Sequence, residues 1–142
     1  DSASLPRLLN NKGISLTQLS LFDEAFDCLQ EALNIVTIKE NNYGKARLLT
    51  NVGFLFKKNE DYQTALKYFF ESLELKQNLG DDASTAYTLN DIGEVHYFIG
   101  DYRSAIGYSR RAMSLARRAN AVQYMRDISK TISNSFEAVG QI

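Results

Sequence analysis

A chain of 142 residues, 44% hydrophobic and 23% charged, has the length and balance of one folded domain rather than of a disordered tail. Its net charge of −1 excludes the basic footprint of a dedicated nucleic-acid binder, and the single Cys28 and single His96 exclude an internal disulfide and a Cys/His metal cluster. No stretch approaches the ~18 apolar residues of a membrane span and no signal peptide is visible; a soluble segment is expected, and Asp1-Ser2-Ala3-Ser4, without an initiator methionine, points to a fragment of a longer protein.

The only proline, Pro6, stands at the start, so nothing beyond it obliges a helix to break. A first helix, A1, is expected over about 5–20, and its partner B1 over about 22–38. A2 and B2 follow at about 43–58 and 61–78, A3 and B3 at about 83–98 and 101–118, and a seventh helix at about 121–139. Asp61 and Asp101 stand where an aspartate can accept from the first free amides of B2 and B3, whereas Leu21 leaves B1 without that cap.

The elements repeat. Leu9-Asn10-Asn11-Lys12-Gly13, Leu49-Thr50-Asn51-Val52-Gly53 and Leu89-Asn90-Asp91-Ile92-Gly93 align with their glycines 40 residues apart. Phe22-Asp23-Glu24-Ala25, Tyr62-Gln63-Thr64-Ala65 and Tyr102-Arg103-Ser104-Ala105 align in the same register, followed by Ala32, Ser72 and Ala112. A glycine inside a helix weakens it, so its periodic use marks places where two helices cross closely. In this register Ser129, Ile132, Ser133 and Phe136 follow Leu89, Ile92, Gly93 and His96; the seventh helix reads as a fourth A helix, able to cover repeat three through Ile128, Ile132 and Phe136.

This pattern resembles the tetratricopeptide repeat family, best in repeat two, where Leu49, Val52-Gly53, Phe56, Tyr62, Ala65, Phe69 and Ser72 stand in the signature order. It departs from the common type in its 40-residue unit and in lacking a closing proline. The resemblance implies an all-α, right-handed α-solenoid of antiparallel helix pairs, about seven helices, in a single domain over 1–142. Its divisions are repeat one at 5–40, repeat two at 43–80, repeat three at 83–120 and a partial repeat or capping helix at 121–142. Long repeats of this kind look like those of bacterial signalling proteins, joined to histidine kinases, nucleotide or diguanylate cyclases, or helix-turn-helix regulators. A protein- or peptide-binding scaffold is expected, serving as the sensory or regulatory segment of such a protein; the alternative is a self-association module. A cytoplasmic setting is favoured, or a periplasmic one if the parent is a transmembrane sensor.

The resemblance also implies that A helices line the ligand-binding wall. Counting from each signature glycine gives Arg7, Asn10, Ile14 and Thr17 in A1, Arg47, Thr50, Phe54 and Lys57 in A2, Tyr87, Asn90, Glu94 and Tyr97 in A3, and Asp127, Lys130, Asn134 and Glu137 in the seventh helix. Amides and hydroxyls suit the backbone of an extended peptide, and aromatic rings suit its side chains; Asn10 and Asn90 serve equally well as bonds between helices. The carboxylate clamp that grips chaperone tails is disfavoured, because its first-repeat places hold Asn10 and Ile14. No nucleophile–base pair and no phosphate-binding glycine loop occurs, so the segment is expected to be neither an enzyme nor a cofactor binder. His96 stands where the repeat packs an aromatic ring, and Cys28 reads as a small packing residue in B1. The arginines around Arg110, Arg111, Arg117 and Arg118 read as a solvated or ion-paired face.

Overall fold

The computed structural model describes residues 4–141, all of whose regular structure is helical. The elements are α1 (Leu5–Gln18), α2 (Phe22–Ile38), α3 (Asn42–Lys58), α4 (Tyr62–Leu79), α5 (Asp82–Ile99), α6 (Tyr102–Arg118) and α7 (Val122–Gly140). The helix boundaries anticipated from the repeat fall within about two residues of these. The chain forms two compact units, divided between Leu75 and Lys76.

The first six helices, α1 to α6, stop in the same way. The residue after the last turn has positive φ, and it recurs every twentieth position as Ser20, Glu40, Glu60, Gly80, Gly100 and Asn120. The following amide reaches back to a carbonyl inside the helix, as Leu21 to Leu16 (2.9 Å), Asn41 to Val36 (2.8 Å) and Asp61 to Phe56 (2.9 Å). This is the Schellman arrangement, which satisfies end carbonyls that would otherwise lack donors. Starts are capped by Asn41, Asp61, Asp81 and Asp101, each accepting from the backbone amide three residues on. Leu21 gives α2 no side-chain cap.

An L-residue in the left-handed region costs about 1–2 kcal/mol, and glycine returns about 0.4–1 kcal/mol of that through unfolded-chain entropy. Glu40→Gly and Glu60→Gly are therefore expected to raise stability by about 0.5 kcal/mol each. A lower denaturant midpoint for either variant would show that the Glu side chain compensates for its own strain.

In unit 1, α1, α2 and α3 pack on one another around Ala25, Leu29, Ala32, Leu33, Val36, Leu48, Leu49, Val52 and Leu55. The glycines make the approach possible. A Cβ on Gly13 would come within 2.7 Å of the Leu29 side chain, and one on Gly53 within 2.6 Å of the Phe69 ring. In unit 2, α5, α6 and α7 pack together, and a Cβ on Gly93 would meet Ser109 Oγ at 2.5 Å. Residues 29, 69 and 109 hold the same place in the repeat, so the crossing contact recurs although its chemistry changes from leucine to phenylalanine to serine.

Rings recur in register as well. Phe56 stacks on Tyr68 at 5.6 Å, and forty residues on His96 stacks on Tyr108 at 5.3 Å. The histidine thus fills an aromatic packing place. Cys28 is partly buried in α2.

One expectation for α7 changes. Ile128 is fully buried, but its companions are Thr131 and Ser135, while Phe136 is 47% exposed and Ile132 only partly covered. The buried set matches Leu48, Asn51 and Leu55 of α3, the face an A helix turns to the helix before it. Ile132 and Phe136 lie on the flank beside α6, less covered than Ile128, with the Arg110 guanidinium over the Phe136 ring.

Candidate functional site

In unit 1, Arg7, Asn10 and Arg47 come together. They line one open pocket of about 340 Å³ with Lys39, Asn41 and the N-terminal turn of α3, and the pocket's lining contains no carboxylate. Both arginine side chains are exposed, whereas Asn10 is buried and its Oδ1 accepts from Asn51 Nδ2 at 2.6 Å. That bond fixes the amide and leaves the two guanidinium groups as the available donors, suited to bidentate contact with a carboxylate.

Thr50 is committed to packing. It is buried, its Oγ1 lies 2.7 Å from Ser72 Oγ, and Ser72 in turn donates to the Ala46 carbonyl at 2.7 Å. Thr17 is likewise buried, bonding the Gly13 carbonyl. Phe54 and Ile14 are half-buried, and Lys57 Nζ sits 5.8 Å from the Phe54 ring centroid, giving an aromatic face flanked by a cation.

In unit 2 the charge is of the other sign. Tyr87 is 41% exposed and its ring lies 5.2 Å from that of Tyr124. The neighbouring Asp91 carboxylate, then burial, then Tyr124, Glu94 and Asp127 push the Tyr87 phenol up to about 12, so near neutral pH it remains a hydroxyl donor. Asn90 is only 7% exposed; its Nδ2 is 3.4 Å from Glu94 Oε1, and its Oδ1 is buried with no hydrogen-bond partner among the described residues. Such an orphaned acceptor costs stability unless something donates to it. Tyr97 packs against the rings of Phe98 and Tyr102, each at 5.6 Å. On α7, Lys130, Asn134, Asp127 and Glu137 are exposed.

Lys39, Asp91 and Tyr124 contribute to these faces without having been singled out from the sequence. Lys39 closes α2 and enters the pocket because the α2–α3 turn folds it over. Among the described residues no group of His, Cys, Asp and Glu is arranged to hold a metal ion, and no helix is long and apolar enough to cross a membrane.

Antiparallel helix pairs in strict register, each closed on a small residue, define a helical-repeat protein. The sequence profile of the tetratricopeptide repeat matches residues 4–78 and again 44–118, and the chain belongs to that family. It is 24% identical over 119 residues to Tetratricopeptide repeat protein 29 of Trypanosoma brucei brucei (strain 927/4 GUTat10.1), matching 84% of this chain and 24% of that protein. It is 28% identical over 95 residues to Photosystem I assembly protein Ycf3 of Synechococcus elongatus (strain ATCC 33912 / PCC 7942 / FACHB-805), 67% of this chain and 50% of that one. The chain thus spans a quarter to a half of the length of these relatives. In fold it is similar to a Rap protein crystallised in complex with competence and sporulation factor, with a TM-score of 0.79 and 19% identity over 99% of this chain and 42% of that one. The fold is accordingly an all-α helical-repeat solenoid.

Proposed function

We propose that this chain is a protein- and peptide-binding module whose A-helix faces contact the ligand, and that it is the sensory or regulatory segment of a larger signalling protein. The observation that carries the binding reading is the unit 1 pocket, where Arg7 and Arg47 stand exposed around a fixed amide with no carboxylate in the lining. It suits an acidic side chain or a terminal carboxylate of a partner. The unit 2 face suits a different ligand chemistry: the Asn90 acceptor and the Glu94 carboxylate take backbone amides or a basic side chain, while the Tyr87 and Tyr97 rings hold apolar groups. The likeness in fold to a Rap protein solved with competence and sporulation factor, and in sequence to an assembly protein, supports the reading of a binding module. The signalling role rests on the resemblance of the long repeats and on the Rap likeness.

Affinity capture with this chain, followed by mass-spectrometric identification, tests the reading when run beside Arg7→Ala/Arg47→Ala and Phe54→Ala/Tyr97→Ala variants. Each pair is expected to weaken the captured partner about tenfold or more, since exposed charge-assisted and aromatic contacts dominate such interfaces. The melting temperature of the arginine variant stays within about 2 °C, because exposed side chains contribute little to folding. A partner bound equally by all three proteins places recognition elsewhere.

A further inference from the structure

The repeat register gives the unit 1 pocket a counterpart within unit 2. Arg7, Lys39, Gly44 and Arg47 of the first correspond to Tyr87, Ala119, Tyr124 and Asp127 of the second. In unit 2 the chain occupies the place itself, because Tyr124 stands where Gly44 does and its ring lies 5.2 Å from that of Tyr87. In unit 1 no side chain issues from Gly44, and an open cavity of about 340 Å³ remains. A Cβ on Gly44 would come within 2.8 Å of Asn41 Nδ2 and 3.3 Å of Val36 Cγ1, so the glycine also lets the α2–α3 turn close against α3. Nor is Arg7 exposed merely because it lies in the first helix. Arg47 and Tyr87 hold its place in repeats two and three, each with a helix pair ahead of it in the chain, and both are exposed.

What the cavity offers is donors. Its charged side chains, Arg7, Lys39 and Arg47, are all cations and all exposed, and no carboxylate lines it. The two side-chain acceptors in the lining are already engaged: Asn10 Oδ1 accepts from Asn51 Nδ2 at 2.6 Å, and Asn41 Oδ1 accepts from the Gly44 backbone amide at 2.9 Å. Both carboxamides are thereby oriented, with their Nδ2 groups left to donate. A carboxylate brings one charge and two oxygens, which a single guanidinium fork fills, so two of the cations would keep no counter-charge. A phosphomonoester brings about −1.5 to −2 charges near neutral pH and three acceptor oxygens, enough to engage both arginines and the lysine.

We propose that the unit 1 pocket recognises a phosphorylated side chain of a partner protein, so that phosphorylation of the partner switches its binding on. This rests on the reading of the pocket as the entry for a ligand's acidic group, and it names that group. The counterpart in unit 2, with Asp127 in place of Arg47 and Ala119 in place of Lys39, repels the same group and serves as an internal control.

The test uses the 142-residue chain labelled with nitrogen-15 and three probes at matched ionic strength: N-acetyl-phosphoserine methylamide, N-acetyl-glutamate methylamide and inorganic phosphate. The readout is the chemical shift of the Arg7 and Arg47 side-chain Nε–H groups and of the amides of residues 41–47. Saturable shifts are expected with phosphoserine, at a dissociation constant at least about tenfold below that for glutamate, and none around Asp127. Lowering the pH from about 7.5 to about 5.5 should weaken phosphoserine several-fold, because its second proton returns near pH 6, and leave glutamate unchanged. The lining contains no histidine or carboxylate to confuse that comparison. Arg7→Gln/Arg47→Gln abolishes saturation without loss of helicity, since both positions are exposed, and Lys39→Gln brings phosphoserine to within about threefold of glutamate. Glutamate saturating as tightly as phosphoserine leaves the pocket an acid-binding site and overturns the phosphate inference alone. Saturation by neither overturns the pocket reading beneath it as well. Shifts that survive the double arginine substitution, or a phosphoserine affinity indifferent to pH, also overturn the inference. Inorganic phosphate binding more tightly than the phosphoserine compound assigns the cavity to the free ion instead.

Discussion

Replacing Gly53 by valine is expected to lower stability by about 3 kcal/mol, enough to leave unit 1 largely unfolded under mild denaturant. The added Cβ meets the Phe69 ring at 2.6 Å, and that ring is fully buried, so it cannot swing aside as the end of a surface side chain would. Overpacking of this kind costs about 1–3 kcal/mol, and a β-branched residue adds further crowding while forgoing part of the helix propensity that alanine would recover. The matching control is Gly107→Ala. Nothing lies within 4 Å of a Cβ there, so only the propensity gain of about 0.5–1 kcal/mol is felt and stability rises. A second arm uses Phe69→Leu, which is destabilising alone because it leaves a cavity. Combined with Gly53→Val it should lose less than the sum of the two, with a coupling of about 1 kcal/mol or more in a double-mutant cycle. Strict additivity would mean that glycine serves some need other than the closeness of this crossing.

The second large effect concerns pH. Lys76 is only 5% exposed, and its Nζ lies 2.7 Å from Thr88 Oγ1. Burial pushes the ammonium down from 10.5 to about 8, against the pull of Asp91 and Asp81. Because its charged form is disfavoured in the fold, the penalty is fully present below pH 8, where both folded and unfolded chains hold the proton. Between about pH 8 and 10.5 the folded chain has released the proton and the unfolded chain has not, so stability rises with pH by up to about 3 kcal/mol in total. Tyr87 works the other way at the upper edge. Its phenol is raised from 10.0 to about 12, so the stability tied to its neutral form is lost as pH climbs through that range. Unit 2 should therefore be most stable near pH 10. In a Lys76→Met variant the rise from pH 8 to 10 should vanish. Urea midpoints across this range decide the matter, and an unchanged pH profile in that variant would dismiss the lysine as its source.

Lys76 also shows where sequence reasoning stopped. A lysine near a helix end ordinarily reads as solvated, yet it occupies the place of Val36 and Ala116, both buried. Applying the 40-residue register to apolar positions outside the signature would have flagged it. That register did disclose the glycine crossings, the helix boundaries and the Asp61 and Asp101 caps, because each depends on local geometry that a few residue types satisfy. The left-handed turns at Ser20, Glu40, Glu60 and Asn120 were not visible, since no glycine announces them and the surrounding turn imposes the conformation. Among the candidate binding residues, those six before the signature glycine, such as Arg7, Arg47 and Tyr87, are exposed. Those three before it, Asn10, Thr50 and Asn90, are buried, because that place lies against helix partners rather than open solvent. Counting along one helix gives the face but not how deeply its partner overlaps it.

The turn that recurs every twentieth residue bears on how the chain acquires its structure. Each of the first six helices is halted and redirected by a bond spanning five residues, so the next helix returns to its neighbour without a long search, and most packing partners lie within about one repeat of each other. Chains dominated by such short sequence separations cross their folding barrier quickly, and assembly can start at any pair and spread to adjacent ones. A nascent chain can close each hairpin while the following one is still being synthesised, which limits the time that apolar faces such as that of α3 stand open to aggregation.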